Sequence, residues 1–127
     1  MRCALIGFGG LGRIVAEHLS KDADIRVVAV AARAHQSKGV RALLGDAAIV
    51  GSAAALVDLE PDLVVECASH GAFREYAEPV LSAGVNLIAV SVGVLADAHY
   101  RERVDDARLV AVTDHVRKWL FGEGLPA

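Results

Sequence analysis

The stretch "CALIGFGGLGRIVAEHL", residues 3–19, decides the reading of the fold. Residues 2–6 form a short apolar run closed by Gly7, the pattern of a strand buried on both faces of a parallel sheet. Past the glycines, Leu11, Ile14, Val15, Ala16 and Leu19 recur at helical spacing through Ser20. Gly7, Gly9 and Gly12 between them have the spacing G-x-G-x-x-G. Alone that spacing is weak, because glycine is common in any tight turn. Its place between a strand and a helix gives it meaning.

Outward from this unit the alternation repeats. "IRVVAVA" (25–31) is a second strand rich in β-branched residues, followed by a weaker helix at 37–44 that stops at Gly45. Residues 48–51 make a short third strand, and 52–59 a Ser-capped helical segment. Beyond Pro61, "DLVVECA" (62–68) is the fourth strand, with a helix at 72–83 ended by Gly84. "NLIAVSV" (86–92), a helix at 97–107 and "RLVAV" (108–112) complete the series. Strict β-α alternation with apolar strands predicts an α/β fold in three layers. Six strands in two βαβαβ halves predict a doubly wound, Rossmann-type parallel sheet of order 3-2-1-4-5-6. This domain takes residues 1–112. The tail, 113–127, holds Trp119, and its residues 114–121 read as a short helix.

Composition narrows the function classes. A chain of 127 residues, 54% hydrophobic and 23% charged, suits one globular domain with its own core. The net charge of −3 offers no footprint for nucleic acid, and no basic run suggests a membrane surface. Charged residues interrupt every apolar run before the ~18–20 residues needed to span a bilayer. Met1-Arg2 and four apolar residues before Gly7 do not read as a secretory signal, so a cytoplasmic location is expected. Cys3 and Cys67 fit that compartment as reduced thiols. On neighbouring parallel strands, four residues at ~3.3 Å each separate them by ~13 Å, beyond the ~7 Å of a disulfide. His18, His35, His99 and His115 share no ligand spacing, and no Cys/His cluster suggests a metal.

The glycine turn points to a dinucleotide. Gly7 allows the tight turn, Gly9 lets a pyrophosphate approach the backbone, and Gly12 lets the helix pack on the strand. Phe8, Gly10 and Leu11 complete the turn, where free N–H groups and the positive end of the helix dipole attract an anion. Arg13 in that first turn opposes the dipole by up to ~1 kcal/mol; it is either relieved by a bound phosphate or simply a solvated arginine. An acidic residue normally follows the glycines by about 20 positions to hold the ribose 2′-hydroxyl. That place holds Ala31-Ala32-Arg33. Arg33 is therefore either a partner for a 2′-phosphate, which admits NADP beside NAD, or a surface residue of the loop.

Ligands of such sheets lie outside the carboxyl ends of the strands. Strand four delivers Ala68 and Ser69 to that rim and strand five delivers Ser91, Val92 and Gly93; the small Ala68, Ser69 and Gly93 leave room for the nicotinamide ribose. His70 sits at the same rim, either touching cofactor or substrate or bonded to nearby backbone. Glu66 interrupts an apolar strand, so it is either paired near the site or turned to solvent.

These residues carry a family resemblance. "LIGFGGLGRIVAEHL" and "PDLVVECASHGAFREYAEPVLSAGVNLIAVSVGVLAD" resemble the N-terminal half of L-aspartate dehydrogenases, over about residues 1–112. "VVECASH" and "SVGVLAD", in order and spacing, are more specific than the glycine motif. The resemblance implies an NAD(P)-dependent oxidation of L-aspartate to iminoaspartate, a precursor for NAD biosynthesis. It also implies a homo-oligomer with a separate C-terminal α+β domain. Gly7, Gly9 and Gly12 carry over as cofactor residues, and the "ECASH" and "SVG" loops as nicotinamide-side contacts. The departure comes after the sixth strand. There the family has a Ser/Gly-rich loop and then a domain that binds aspartate and supplies a catalytic histidine; "TDHVRKWLFGEGLPA" matches neither. His115 fits that histidine in neither position nor context, so no catalytic residue is assigned. The expectation is a domain that binds NAD or NADP without efficient turnover. A stand-alone dinucleotide-binding or interaction module, and the cofactor domain of a homoserine dehydrogenase-like enzyme, stay open.

Overall fold

The computed structural model describes residues 1–91 and 109–111. Its strands are β1 (Arg2–Ile6), β2 (Arg26–Ala31), β3 (Ala48–Val50), β4 (Leu63–Glu66), β5 (Asn86–Ala89) and β6 (Leu109–Ala111). They pair in the order β3-β2-β1-β4-β5-β6, and every pairing is parallel. Between them run α1 (Gly10–Ser20), α2 (Ser37–Leu44, entered through a 3-10 turn at Ala34–Gln36), α3 (Ala53–Val57) and α4 (His70–Ser82). The doubly wound order is the expected one. The helix at 97–107 and the tail helix at 114–121 lie outside the described residues.

Period-two alternation along β1 divides the core between two faces. Ala4 and Ile6 pack with Leu56, Phe73, Tyr76 and Val80 of α3 and α4. Cys3 and Leu5 pack on the opposite side with Ala16 of α1 and Val40 of α2. All four β1 residues are buried. A strand buried on both faces needs an unbroken apolar run, which is why "CALI" shows no polar alternation. Cys3 and Cys67 are both free and buried, as expected. Among the described residues no helix is long and apolar enough to cross a membrane.

Two element boundaries differ from expectation for one shared reason. β4 ends at Glu66 rather than at 68, and β5 at Ala89 rather than at 92. The Glu66 carboxylate accepts the Ala68 and Ser91 N–H groups, turning both segments out of the strand ladder. α4 in turn begins at His70, two residues before the expected start. Ser69 is its N-cap, and the hydroxyl accepts the Ala72 N–H at 3.1 Å. The expected Ser52 cap of α3 is present, on the Ala55 N–H at 3.1 Å.

Candidate cofactor-binding cleft

A cleft of about 700 Å³ opens at the carboxyl ends of the strands, where β1 and β4 lead to opposite sides of the sheet. Its floor is the turn between β1 and α1. Gly7 has φ +100°, and a Cβ there would stand 2.8 Å from Ala68 Cβ. A Cβ on Gly12 would stand 2.4 Å from the Gly7 carbonyl oxygen. Both positions therefore require glycine, one for backbone conformation and close approach, the other for close approach alone. Gly9 and Gly10 are different: a Cβ on either would meet nothing within 4 Å. The space above them is open cleft, bordered by Phe8 and Leu11.

The N-terminus of α1 faces that space without a cap of its own. Gly9, the N-cap residue, has no side chain to accept a hydrogen bond, and the first turn contains no acidic residue. The leading N–H groups and the positive end of the helix dipole are thus available to an anion in the cleft. A diphosphate fits this floor chemically.

Arg13 plays no part in it. Its guanidinium lies 5.6 Å from the centroid of the Phe8 ring, a cation–π arrangement, and the side chain lines the groove between α1 and α2 instead. Phe8 is 3% exposed, and a Cβ on Gly39 of α2 would stand 3.2 Å from its ring. Arg13 is exposed, as one of its two readings has it, and it stacks on the Phe8 ring.

Arg33 borders the cleft beyond the end of β2 and is exposed. Its backbone N–H donates to the Gln36 Oε1 at 3.0 Å, and the Gln36 N–H returns a bond to its carbonyl at 2.9 Å. The loop that presents the guanidinium is therefore held at both ends of one turn. No carboxylate stands in Ala31-Ala32-Arg33.

The opposite wall comes from β4 and β5. Ala68, Ser69 and Ser91 line it. His70, the first residue of α4, is exposed and does not line the cleft, because the Ser69 cap starts the helix there and the rim passes directly to Gly71. Val92 and Gly93 lie outside the described residues. Gly12 sits beneath the turn rather than on the cleft surface, as its packing role demands. Glu66 is fully buried, with Oε2 accepting from Ala68 N at 2.7 Å and Oε1 from Ser91 N at 2.8 Å. Of its two anticipated fates, pairing beside the site is the one realised.

Several lining residues went unnoticed in the sequence. Ala72, Glu75 and Tyr76 form one face of α4 at i, i+3, i+4 spacing, a signal that needs the helix orientation to interpret. Val50 ends β3 and Gly51 follows it, and the expected strand order already set that strand end beside β2. Gln36 was missed because its role is local hydrogen bonding to Arg33.

The thiol of Cys67 also borders the cleft, yet burial above all, with added contributions from neighbouring Glu66 and Cys3, pushes its pKa up to about 12. Burial likewise raises Cys3 to about 11, against a small opposing effect of the N-terminal ammonium. Both are neutral thiols at physiological pH, unsuited to nucleophilic work. Among the described residues no group of His, Cys, Asp and Glu is arranged to hold a metal ion.

Comparison with known proteins agrees with this geometry. Residues 7–116 match the family model described as "Homoserine dehydrogenase, NAD binding domain". The chain belongs to this family. Its cofactor class is accordingly a nicotinamide dinucleotide, NAD or NADP. The curated relatives include L-aspartate dehydrogenase from Ruegeria pomeroyi, 38% identical over 109 residues, covering 84% of this chain and 38% of the relative. The enzyme of the same name from Archaeoglobus fulgidus is 33% identical over 104 residues, covering 82% and 40%. The resemblance found in the motifs is thus borne out, and the chain spans about two-fifths of the length of these relatives. Among solved structures, GenD2 from gentamicin A biosynthesis in complex with NAD superposes with a TM-score of 0.73 at 24% identity, covering 87% of this chain and 34% of that one. A scyllo-inositol dehydrogenase from Lactobacillus casei gives a TM-score of 0.76 at 16% identity, covering 94% and 38%. At these identities the structures attest the fold alone.

Proposed function

We propose that this chain is the cofactor-binding part of an L-aspartate dehydrogenase, holding NAD or NADP for oxidation of L-aspartate to iminoaspartate. The observation that carries the proposal is the uncapped start of α1, open to the cleft above Gly9 and Gly10. The 38% identity to an L-aspartate dehydrogenase supports the choice of substrate. In this reading the turn from Gly7 to Gly12 receives the pyrophosphate on backbone N–H groups, with Phe8, Gly10 and Leu11 shaping its floor. Arg33 meets the adenosine ribose and, in NADP, its 2′-phosphate. Ala68, Ser69 and Ser91 bound the nicotinamide ribose, joined by Val92 and Gly93. His70 remains a rim residue, with any contact limited to what reaches past Ser69.

The nicotinamide ring, when bound, supplies the hydride acceptor. The chain's own residues bind and orient it. Among the described residues, the ionisable groups lining the cleft are Arg33, Cys67, Glu75 and Tyr76. Tyr76 is held protonated by burial, with Glu75 adding to the effect. None of these is assigned as the base that takes the substrate ammonium proton, and we expect negligible aspartate oxidation from the 127 residues alone. The domain division at residue 112 belongs to the same proposal.

Calorimetric titration of the wild type and Arg33→Ala with NADH and NADPH tests the assignment. Loss of one charge-assisted contact to a phosphate predicts about tenfold weaker NADPH binding. NADH binding should change by less than about threefold, since it keeps only the ribose contact and lacks the 2′-phosphate. Equal losses for both cofactors would refute the role of Arg33. Sustained aspartate-dependent NADPH production by the purified chain would overturn the expectation of negligible turnover.

A further inference from the structure

β4 and β5 are joined by a backbone ladder only as far as the pair Glu66 and Ala89, with a last bond from Val90 N to Glu66 O at 3.1 Å. Past this point the segments leave the ladder to form the wall of the cleft. Across the gap stands one side chain. The Glu66 carboxylate holds Ala68 N with one oxygen and Ser91 N with the other, and it is fully buried. A buried carboxylate is costly unless its oxygens are hydrogen-bonded, and an apolar residue of similar size would suit the strand better. Its presence therefore calls for a reason beyond packing.

Position supplies one. Ala68 is also the residue against which Gly7 is packed, with no room for a Cβ between them. Three parts of the cleft thus meet at Glu66: the loop after β4, the end of β5 and, through Ala68, the glycine turn. We infer that Glu66 is a positioning residue that sets the spacing between the Ala68–Ser69 and Ser91 walls, and so fits the cleft to the nicotinamide half of the cofactor. The inference rests on the proposed nicotinamide-side assignment of those walls. Glu66 itself does not line the cleft, so its effect is exerted through the two N–H groups it fixes.

The test compares NADH with ADP, which carries the adenosine and both phosphates but lacks the second ribose and the nicotinamide. Glu66→Gln keeps the volume but replaces one acceptor with a donor. Ser91→Pro keeps the carboxylate and removes one of its donors. Each variant of the 127-residue chain should bind NADH about tenfold more weakly, the typical scale of a lost hydrogen bond to a charged group, and ADP within about twofold of wild type. If Glu66→Gln fails to fold, Ser91→Pro decides by comparison with Ser91→Ala, which removes the same hydroxyl but keeps the N–H that Glu66 accepts: equal NADH binding by the two variants would overturn the inference. Matched losses of NADH and ADP would mean a general structural role and overturn the inference. Unchanged NADH binding would overturn it too, while leaving the cofactor reading intact. A wild-type chain that binds no NADH would remove the cofactor reading and this inference together.

Discussion

Two helices begin at the cleft, and they begin differently. α4 opens on Ser69, whose hydroxyl accepts one of the helix's own leading N–H groups at 3.1 Å. α1 opens on Gly9, with no side-chain acceptor and no acid in its first turn. The same carboxyl edge of one sheet thus carries a helix start with a side-chain cap and another without one, which the proposed function gives to an external anion. The contrast teaches where the ligand's charge belongs. A helix start with a side-chain cap can position a wall, whereas one without a cap gains more from a bound phosphate.

The largest break in this contrast would come from filling the space beneath the uncapped turn. Gly12→Val puts a side chain where Cβ already stands 2.4 Å from the Gly7 carbonyl oxygen. Urea denaturation should show a loss of roughly 3 kcal/mol, the upper range for overpacking. A loss under about 1 kcal/mol would mean that the helix can move off the strand, against the close approach described here. Making α1 resemble α4 is the sharper experiment. Gly9→Asp has open space around its Cβ and supplies the missing acceptor with a negative charge. Thermal stability should hold or rise, while NADH binding falls by more than about tenfold, the equivalent of ~1.4 kcal/mol. Retained binding would show that the anion does not sit at this terminus. The smallest effect is expected at α4, where Ser69→Ala should cost about 1 kcal/mol in the same urea assay. Ser69→Asn should recover most of it, because asparagine caps as well as serine. A drop that asparagine does not rescue would assign Ser69 a contribution beyond capping.

The glycine turn was legible in the sequence because its determinants are local: four glycines within six residues, three of them at the motif spacing, with a strand before them and a helix after. The sheet order followed from the same alternation, since buried parallel strands leave continuous apolar runs. Contacts between segments distant in the chain were harder to anticipate. Glu66 stood out as a polar residue in an apolar strand, but its acceptance of an N–H 25 residues away required β4 and β5 to be set side by side. His70 was expected at the rim, yet a cap on the preceding residue moved the helix start by two positions and left it outside the cleft lining. Arg13 fitted a phosphate on helix electrostatics alone. Its stacking on the Phe8 ring, five residues back, depends on the shape of the turn between them.

The contact between Phe8 and Gly39 has a consequence for how such domains diverge. Glycine inside a helix costs about 1 kcal/mol relative to alanine, so nothing in α2 by itself favours it. With a Cβ at residue 39 only 3.2 Å from the Phe8 ring, the two positions share one allowance of volume. Among relatives, a bulky residue in the second place of the glycine turn should therefore travel with glycine on the facing helix. Where that turn residue shrinks to alanine or serine, alanine should appear opposite, leaving a co-varying pair that links the turn to a helix 31 positions away in the chain.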